Sequence, residues 1–129
     1  MLTFEHLEAV IWDFDGVVVN SIPAHSKAFL TVLKDIGCDC SYEQLAPYFG
    51  MADVEVMRSM VGEQFTDAEI RNLAKTKELV YQKIIMKDVQ LYPGVVDWLR
   101  DFHEAGIKQA IASCGVAESI DLIIKAANL

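Results

Sequence analysis

The chain is short of basic residues, of cysteine and of long apolar runs. Lys and Arg number 11 against 19 Asp and Glu in 129 residues, a formal net charge of −8. An acidic surface repels phosphate backbones, so the balance argues against a nucleic-acid partner. It also disfavours small anionic substrates unless a cation or local donors reverse the field at the site. No apolar run approaches the ~20 residues that span a bilayer, which argues against a membrane partner. Met1 to His6 has no basic region followed by an apolar stretch, so no targeting signal is read there. The three cysteines, Cys38, Cys40 and Cys114, make an odd count, and the C-x-C pair lacks a second pair to complete a metal site. Reduced thiols in a cytoplasmic protein are the expectation.

What is present is ample core material. Hydrophobic residues make up 53% of the chain, enough for one domain or a small core with an insert. Glu8 to Asp13 reads as a short buried strand, with Ala9, Val10, Ile11 and Trp12 uninterrupted. Ser21 and Pro23 signal a helix start, and Ile22, Phe29, Leu33 and Ile36 share a face before Gly37. Ser41–Gln44 and Thr66–Glu69 fit the capping box. The second opens a long helix with Ile70, Leu73, Val80 and Ile84 on one stripe. A shorter helix is expected near Val54 to Val61. Pro93 opens another, with Val95, Leu99 and Phe102 on one face and Gly106 closing it. Ile107 to Ala112 is a second strand ending in Ser113-Cys114-Gly115, and a last helix runs from about Val116 to Ala127.

Strand, helical insert, helix, strand and helix imply an α/β fold with a parallel sheet. The expected division is a core of 1–17 and 89–129 and a helical module of 18–88.

The stretch "VIWDFDGVVVNS" places Asp13 and Asp15 at the end of the first strand. Ligand sites in open parallel sheets gather at the carboxyl ends of strands, and Ser113 stands at the other such end. Side chains alternate along a strand, so residues 13 and 15 can face the same way. Two close carboxylates repel unless a cation or a proton intervenes, and Mg²⁺ bound through one or two carboxylates and a substrate phosphate meets that need. One carboxylate can then serve as nucleophile and the other as acid and base. A solvated turn is the alternative, since D-x-D-G is also turn chemistry.

"DFDGVVVNS" resembles the first motif of the haloacid-dehalogenase-like hydrolases, and "AIASCG" resembles their second. The helical insert and the returning "YPGV" are similar to the subgroup of β-phosphoglucomutase and phosphoglycolate phosphatase. The resemblance implies a Rossmann-type parallel core with an inserted helical cap. It implies a Mg²⁺-dependent phosphatase acting on a small phosphorylated metabolite through an aspartyl-phosphate. Asp13 would be the nucleophile and a Mg²⁺ ligand. Asp15 would be the general acid and base, with its carbonyl on Mg²⁺. Ser113 would bind a phosphoryl oxygen, and amides near Phe14 to Gly16 and at Cys114 would help. Asp15 also argues for phosphorus over carbon–halogen chemistry.

Several positions depart from the subgroup. Asn20 stands where many members have Asp. His25 matches a hinge histidine of the mutases, although a plain helix-face histidine reads equally well. Asp53 stands where the mutase has a phosphate-binding arginine, and Val116 where it has a lysine. Those two losses place a mutase below a simple phosphatase. The family's third-motif lysine and fourth-motif acidic pair have no counterpart before Leu129, and Lys125 reads as a solvated helix lysine. The sequence therefore suggests a truncated member with exposed strand edges, able to self-associate or to pair with a complementing fragment. A non-catalytic binding module and a phospho-accepting signalling domain are the other readings, and the latter does not explain the insert.

Overall fold

A computed structural model describes residues 4–129, so Met1, Leu2 and Thr3 of the expected 1–17 segment and of the leader reading lie outside the described residues. The elements run β1 (Ala9–Trp12), α1 (Ile22–Asp35), α2 (Tyr42–Leu45), α3 (Asp53–Val61), α4 (Asp67–Ile85), α5 (Val95–Glu104), β2 (Lys108–Ile111) and α6 (Ala117–Ala127). A 3₁₀ turn at Ala46–Tyr48 follows α2, and another at Gly62–Gln64 follows α3.

The two strands pair in parallel, with Ala9 opposite Lys108 and Trp12 opposite Ile111. The fold is α/β, as the alternation of strand and helix implies. On one face of the sheet Trp12 tilts against Phe102 of α5 and donates to Gln109 Oε1 at 2.9 Å. The other face is not covered by any described element: Ile11 is 72% exposed, and Ala9, Lys108 and Ala110 beside it are exposed too. The expectation of a buried first strand is therefore corrected. A strand is buried on both faces only when helices cover both.

Between the strands, helices α1 to α4 close around their own core of Phe29, Leu33, Leu45, Val56, Met57 and Ile70. Both expected capping boxes form: Ser41 Oγ accepts from the Gln44 amide and Thr66 Oγ1 from the Glu69 amide. The chain enters and leaves this helical unit along two adjacent linkers. The Asn20 amide donates to the Gln90 carbonyl at 2.8 Å, and the Tyr92 amide to the Val18 carbonyl at 3.1 Å. A second apolar cluster joins Phe14 and Val19 to Ala28 of α1, Tyr81 and Ile85 of α4 and Ile123 of α6.

Two local expectations change. In α4 the buried line is Ile70, Ala74, Lys77, Tyr81 and Ile85, and Leu73, Val80 and Ile84 form its half-buried flank. The line steps four, three, four and four residues, which is one helix face. It carries Lys77 and the adjacent Glu78 into the interior. At α1 the helix starts at Ile22, directly after Ser21 as expected, but the fully buried Ser21 hydroxyl makes no cap hydrogen bond and turns to Asp15 instead.

Candidate active site

Strand β1 delivers Asp13 at its carboxyl end, and a tight turn then carries Asp15 back over the same edge. Phe14 is buried and its carbonyl accepts from the Val18 amide at 2.9 Å. Gly16 sits at a φ of 77°, a left-handed conformation that suits glycine, and its amide donates to the Val19 carbonyl at 2.9 Å. Strand β2 ends beside this turn and supplies Ser113, Cys114 and Gly115.

The structure brings Asp13, Asp15, His25, Ser113 and Cys114 together on one cavity of about 500 Å³, lying between the sheet's carboxyl edge and helices α1 and α3. Asp13 is exposed, and its Oδ1 accepts from the Phe14 amide at 2.7 Å. That amide and the Gly16 amide are thus committed to the turn. The Asp15 and Cys114 amides have no partner among the described residues and are available to an anion. Ser113 Oγ accepts from the Gly115 amide at 2.9 Å, which aims the hydroxyl at the cavity edge. Gly115 is needed for its size. A Cβ there would stand 3.0 Å from Asp15 Oδ2 and 3.1 Å from Ser113 Oγ.

Asp15 is held by a polar chain that runs into the helical unit. Its Oδ1 accepts from Ser21 Oγ at 2.6 Å and lies 3.1 Å from His25 Nε2. His25 Nδ1 lies 2.8 Å from Lys77 Nζ, and that ammonium donates to both Asp53 oxygens at 2.9 Å. An ammonium only donates, so His25 Nδ1 must accept. The ring proton then sits on Nε2 and is given to Asp15. The histidine ring stacks on Tyr81 with centroids 3.8 Å apart. Lys77 is fully buried and also lies 4.3 Å from the centre of the Phe29 ring.

The electrostatics of Asp15 follow from these contacts. Burial pushes its pKa upward, but the hydrogen bonds from His25 and Ser21, with the positive charge of Lys77, outweigh that and hold the carboxyl below its ordinary range. Glu78 behaves oppositely. Burial pushes its carboxyl up, against the opposing hydrogen bond from Ser119 and the Lys77 charge. Its Oε1 accepts from Ser119 Oγ, which also accepts from Gln82 Nε2 at 2.9 Å, so α4 is tied to α6 behind the site.

Of the positions singled out in the sequence, Lys125 is exposed on α6 and off the cavity, and Val116 is exposed at the start of that helix. Asn20 accepts from the Tyr92 hydroxyl at 3.3 Å, across the two linkers. Sequence reasoning missed Ser21, Lys77, Glu78, Tyr81 and Ser119. The spacing of Lys77 between Ala74 and Tyr81 is the one signal that could have found it.

A hard cation fits the donors at Asp13 and Asp15, which are all oxygen. Asp13 Oδ2 accepts no hydrogen bond among the described residues, nor does the Asp15 carbonyl. The described residues contain no cluster of three or more His, Cys, Asp or Glu side chains arranged to hold a metal by themselves. Mg²⁺ commonly keeps waters and takes substrate phosphate oxygens, so a two-oxygen protein set is compatible with it.

Comparison with known proteins bears on the family and the fold. The family model described as haloacid dehalogenase-like hydrolase matches residues 10–129. Protein CbbY of Rhodobacter capsulatus is 28% identical over 127 residues, which is 93% of this chain and 56% of the relative. A phosphoglycolate phosphatase of Photobacterium profundum is 27% identical over 133 residues, 97% of this chain and 58% of the relative. Among solved structures, CbbY from Rhodobacter sphaeroides in complex with phosphate matches with a TM-score of 0.79 at 20% identity, covering 93% of this chain and 56% of that one. The chain thus spans little more than half the length of these relatives. No helix among the described residues is long and apolar enough to cross a membrane.

Proposed function

Because this chain belongs to the haloacid dehalogenase-like hydrolases, we propose that it carries the nucleophile, the acid–base residue and the cap of a phosphatase acting on a small phosphorylated metabolite. The observation that carries the reading is the pairing of an exposed Asp13 with an Asp15 whose Oδ1 is held by Ser21 and His25. Phosphatase-named relatives support it.

In this reading an Asp13 oxygen attacks phosphorus, the bond from phosphorus to the leaving oxygen breaks, and Asp13 becomes an aspartyl-phosphate. Asp15 gives the departing oxygen its proton. The incoming phosphoryl charge raises the proton affinity of Asp15, which supplies that acid form. Water then attacks phosphorus, Asp15 takes a proton from it, the Asp13–phosphorus link breaks, and phosphate leaves. The lowered proton affinity of free Asp15 suits this second half. Ser113 and the Asp15 and Cys114 amides steady the phosphoryl oxygens, the kind of fixed donor that carries most of phosphoryl transfer. Asp13 and the Asp15 carbonyl would hold Mg²⁺, which neutralises charge between Asp13 and the phosphoryl group.

The test is Mg²⁺-dependent release of phosphate from an aryl phosphate by the chain beside its Asp13→Asn variant. The reading expects release by the wild type alone. Equal release by both would end it.

A second reading, a catalytically incomplete unit that needs further elements to finish its sheet, is favoured by the two-stranded sheet among the described residues, each strand with an unpaired edge, and by the 72% exposure of Ile11 on its uncovered face. It predicts association in light scattering, and a monodisperse monomer counts against it. The cytoplasmic assignment rests on the sparse, odd cysteine count.

A further inference from the structure

We propose that the substrate of this site is the phosphomonoester of an uncharged, hydroxyl-bearing alcohol, and that the site rejects substrates with a second anionic group. This rests on the phosphatase reading and concerns the half of the cavity away from Asp13.

That half is walled by Phe29, Tyr48, Phe49, Met51, Asp53 and Val56. Among the described residues no lysine or arginine lines the cavity. The arginine nearest in sequence is spent elsewhere: Arg58 donates to the Gly62 and Phe65 carbonyls and to Asp67 Oδ1, all within the cap. With Arg71 it borders a neighbouring cleft that shares only Met51 with this cavity. Lys77 is fully buried behind the wall and gives its donors to both oxygens of Asp53 and to His25. It has no donor left for a ligand anion, because an ammonium carries three.

The charged group that this wall shows to a ligand is therefore the Asp53 carboxylate. Lys77 offsets much of its charge, so among the described residues the wall offers a second phosphate or carboxylate no free cation and only acceptor oxygens. Its two oxygens hold about four lone-pair sites, of which Lys77 uses two. The remainder accept hydroxyl hydrogens. The aromatic and apolar neighbours offer faces to a carbon skeleton. A polyol or sugar phosphate with one anionic end fits this wall, and a bisphosphate or a phosphorylated acid does not.

Non-hydrolysable phosphonates separate this claim from the catalytic one. The wild-type chain is titrated calorimetrically, with Mg²⁺ present, against inorganic phosphate, dihydroxybutylphosphonate and phosphonopropionate. The expected result is that phosphate binds and that the dihydroxy ligand binds at least about tenfold tighter than the carboxylate ligand. Met51→Arg, at a 40% exposed position on the cavity where folding is not at stake, is expected to erase most of that preference. Phosphate binding with equal or tighter binding of phosphonopropionate overturns the substrate class and leaves the phosphatase reading standing. No binding of phosphate or of either phosphonate overturns both.

Discussion

Lys77 Nζ lies 2.8 Å from His25 Nδ1, and this contact sets the direction of every hydrogen bond between Asp53 and Asp15. The ammonium donates, the imidazole passes a proton donor to the far side, and Asp15 receives it. A buried cation in the helical unit thereby orients a carboxylate on the sheet edge. Four predictions follow from this chain and its surroundings.

Removing the cation should cost stability. Lys77→Met leaves Asp53 without its partner and His25 Nδ1 without its donor. Loss of one partner of a buried ion pair costs about 3–5 kcal/mol. Adding Asp53→Leu removes the orphaned charge and should recover part of that loss. Urea unfolding of the two single variants and the double variant checks it. Additive losses would show that the pair is not coupled.

Replacing His25 should act through Asp15. In His25→Phe the ring can still lie on Tyr81, but neither hydrogen bond survives. Turnover should fall by on the order of 10², as for a misplaced catalytic group, with phosphate binding changed far less. His25 lowers the Asp15 pKa, so its loss should move the acidic limb of the pH–rate profile to higher pH. An unshifted limb would assign His25 a packing role only.

Glu78 makes a prediction about pH. Its carboxyl is raised from the ordinary 4.5 by burial, so the folded state holds this proton more tightly than the unfolded chain does. Stability from this group is fully present below pH 4.5 and declines as pH rises toward the folded pKa. Glu78→Gln keeps an acceptor for Ser119 and has no charge to bury. Its melting temperature relative to wild type should therefore climb as pH rises above 4.5. Asp15, lowered from 3.8, works the other way and loses its contribution only as pH falls below that value. A difference between Glu78→Gln and wild type that is flat with pH would contradict this assignment.

Tyr81 is buried with a hydroxyl near Ser21, whose own proton goes to Asp15, and it makes no hydrogen bond of good geometry among the described residues; burial and the neighbouring Asp15 charge push its pKa well up against the opposing influence of Ser21. An unsatisfied buried hydroxyl costs about 1–3 kcal/mol. Tyr81→Phe keeps the stack on His25 and should leave the melting temperature unchanged or higher. A clear loss of stability would mean that the hydroxyl is engaged.

Much of this arrangement was legible in the residues themselves. Asp13, Asp15 and Ser113 could be placed because strand ends, glycine turns and short-range spacing are local signals. The capping boxes at Ser41 and Thr66 were legible for the same reason. Lys77 was not read, because composition assigns a lysine to solvent, and its place in the buried spacing of α4 gains meaning only once α1 and α3 pack over it. Ser21 marks the helix start as expected, but its bond to Asp15 was not legible, because a serine before a helix most often caps it and here Asp15 competes for the hydroxyl. The uncovered sheet face was hidden in an apolar run, since periodicity cannot say what will cover a strand.

The most direct measurement is mass spectrometry of the chain quenched during reaction with an aryl phosphate and Mg²⁺. The account predicts a phosphoryl group on the peptide containing Asp13, absent from Asp13→Asn. Phosphate released by the wild type with no label on that peptide, or a label that persists in Asp13→Asn, would contradict it.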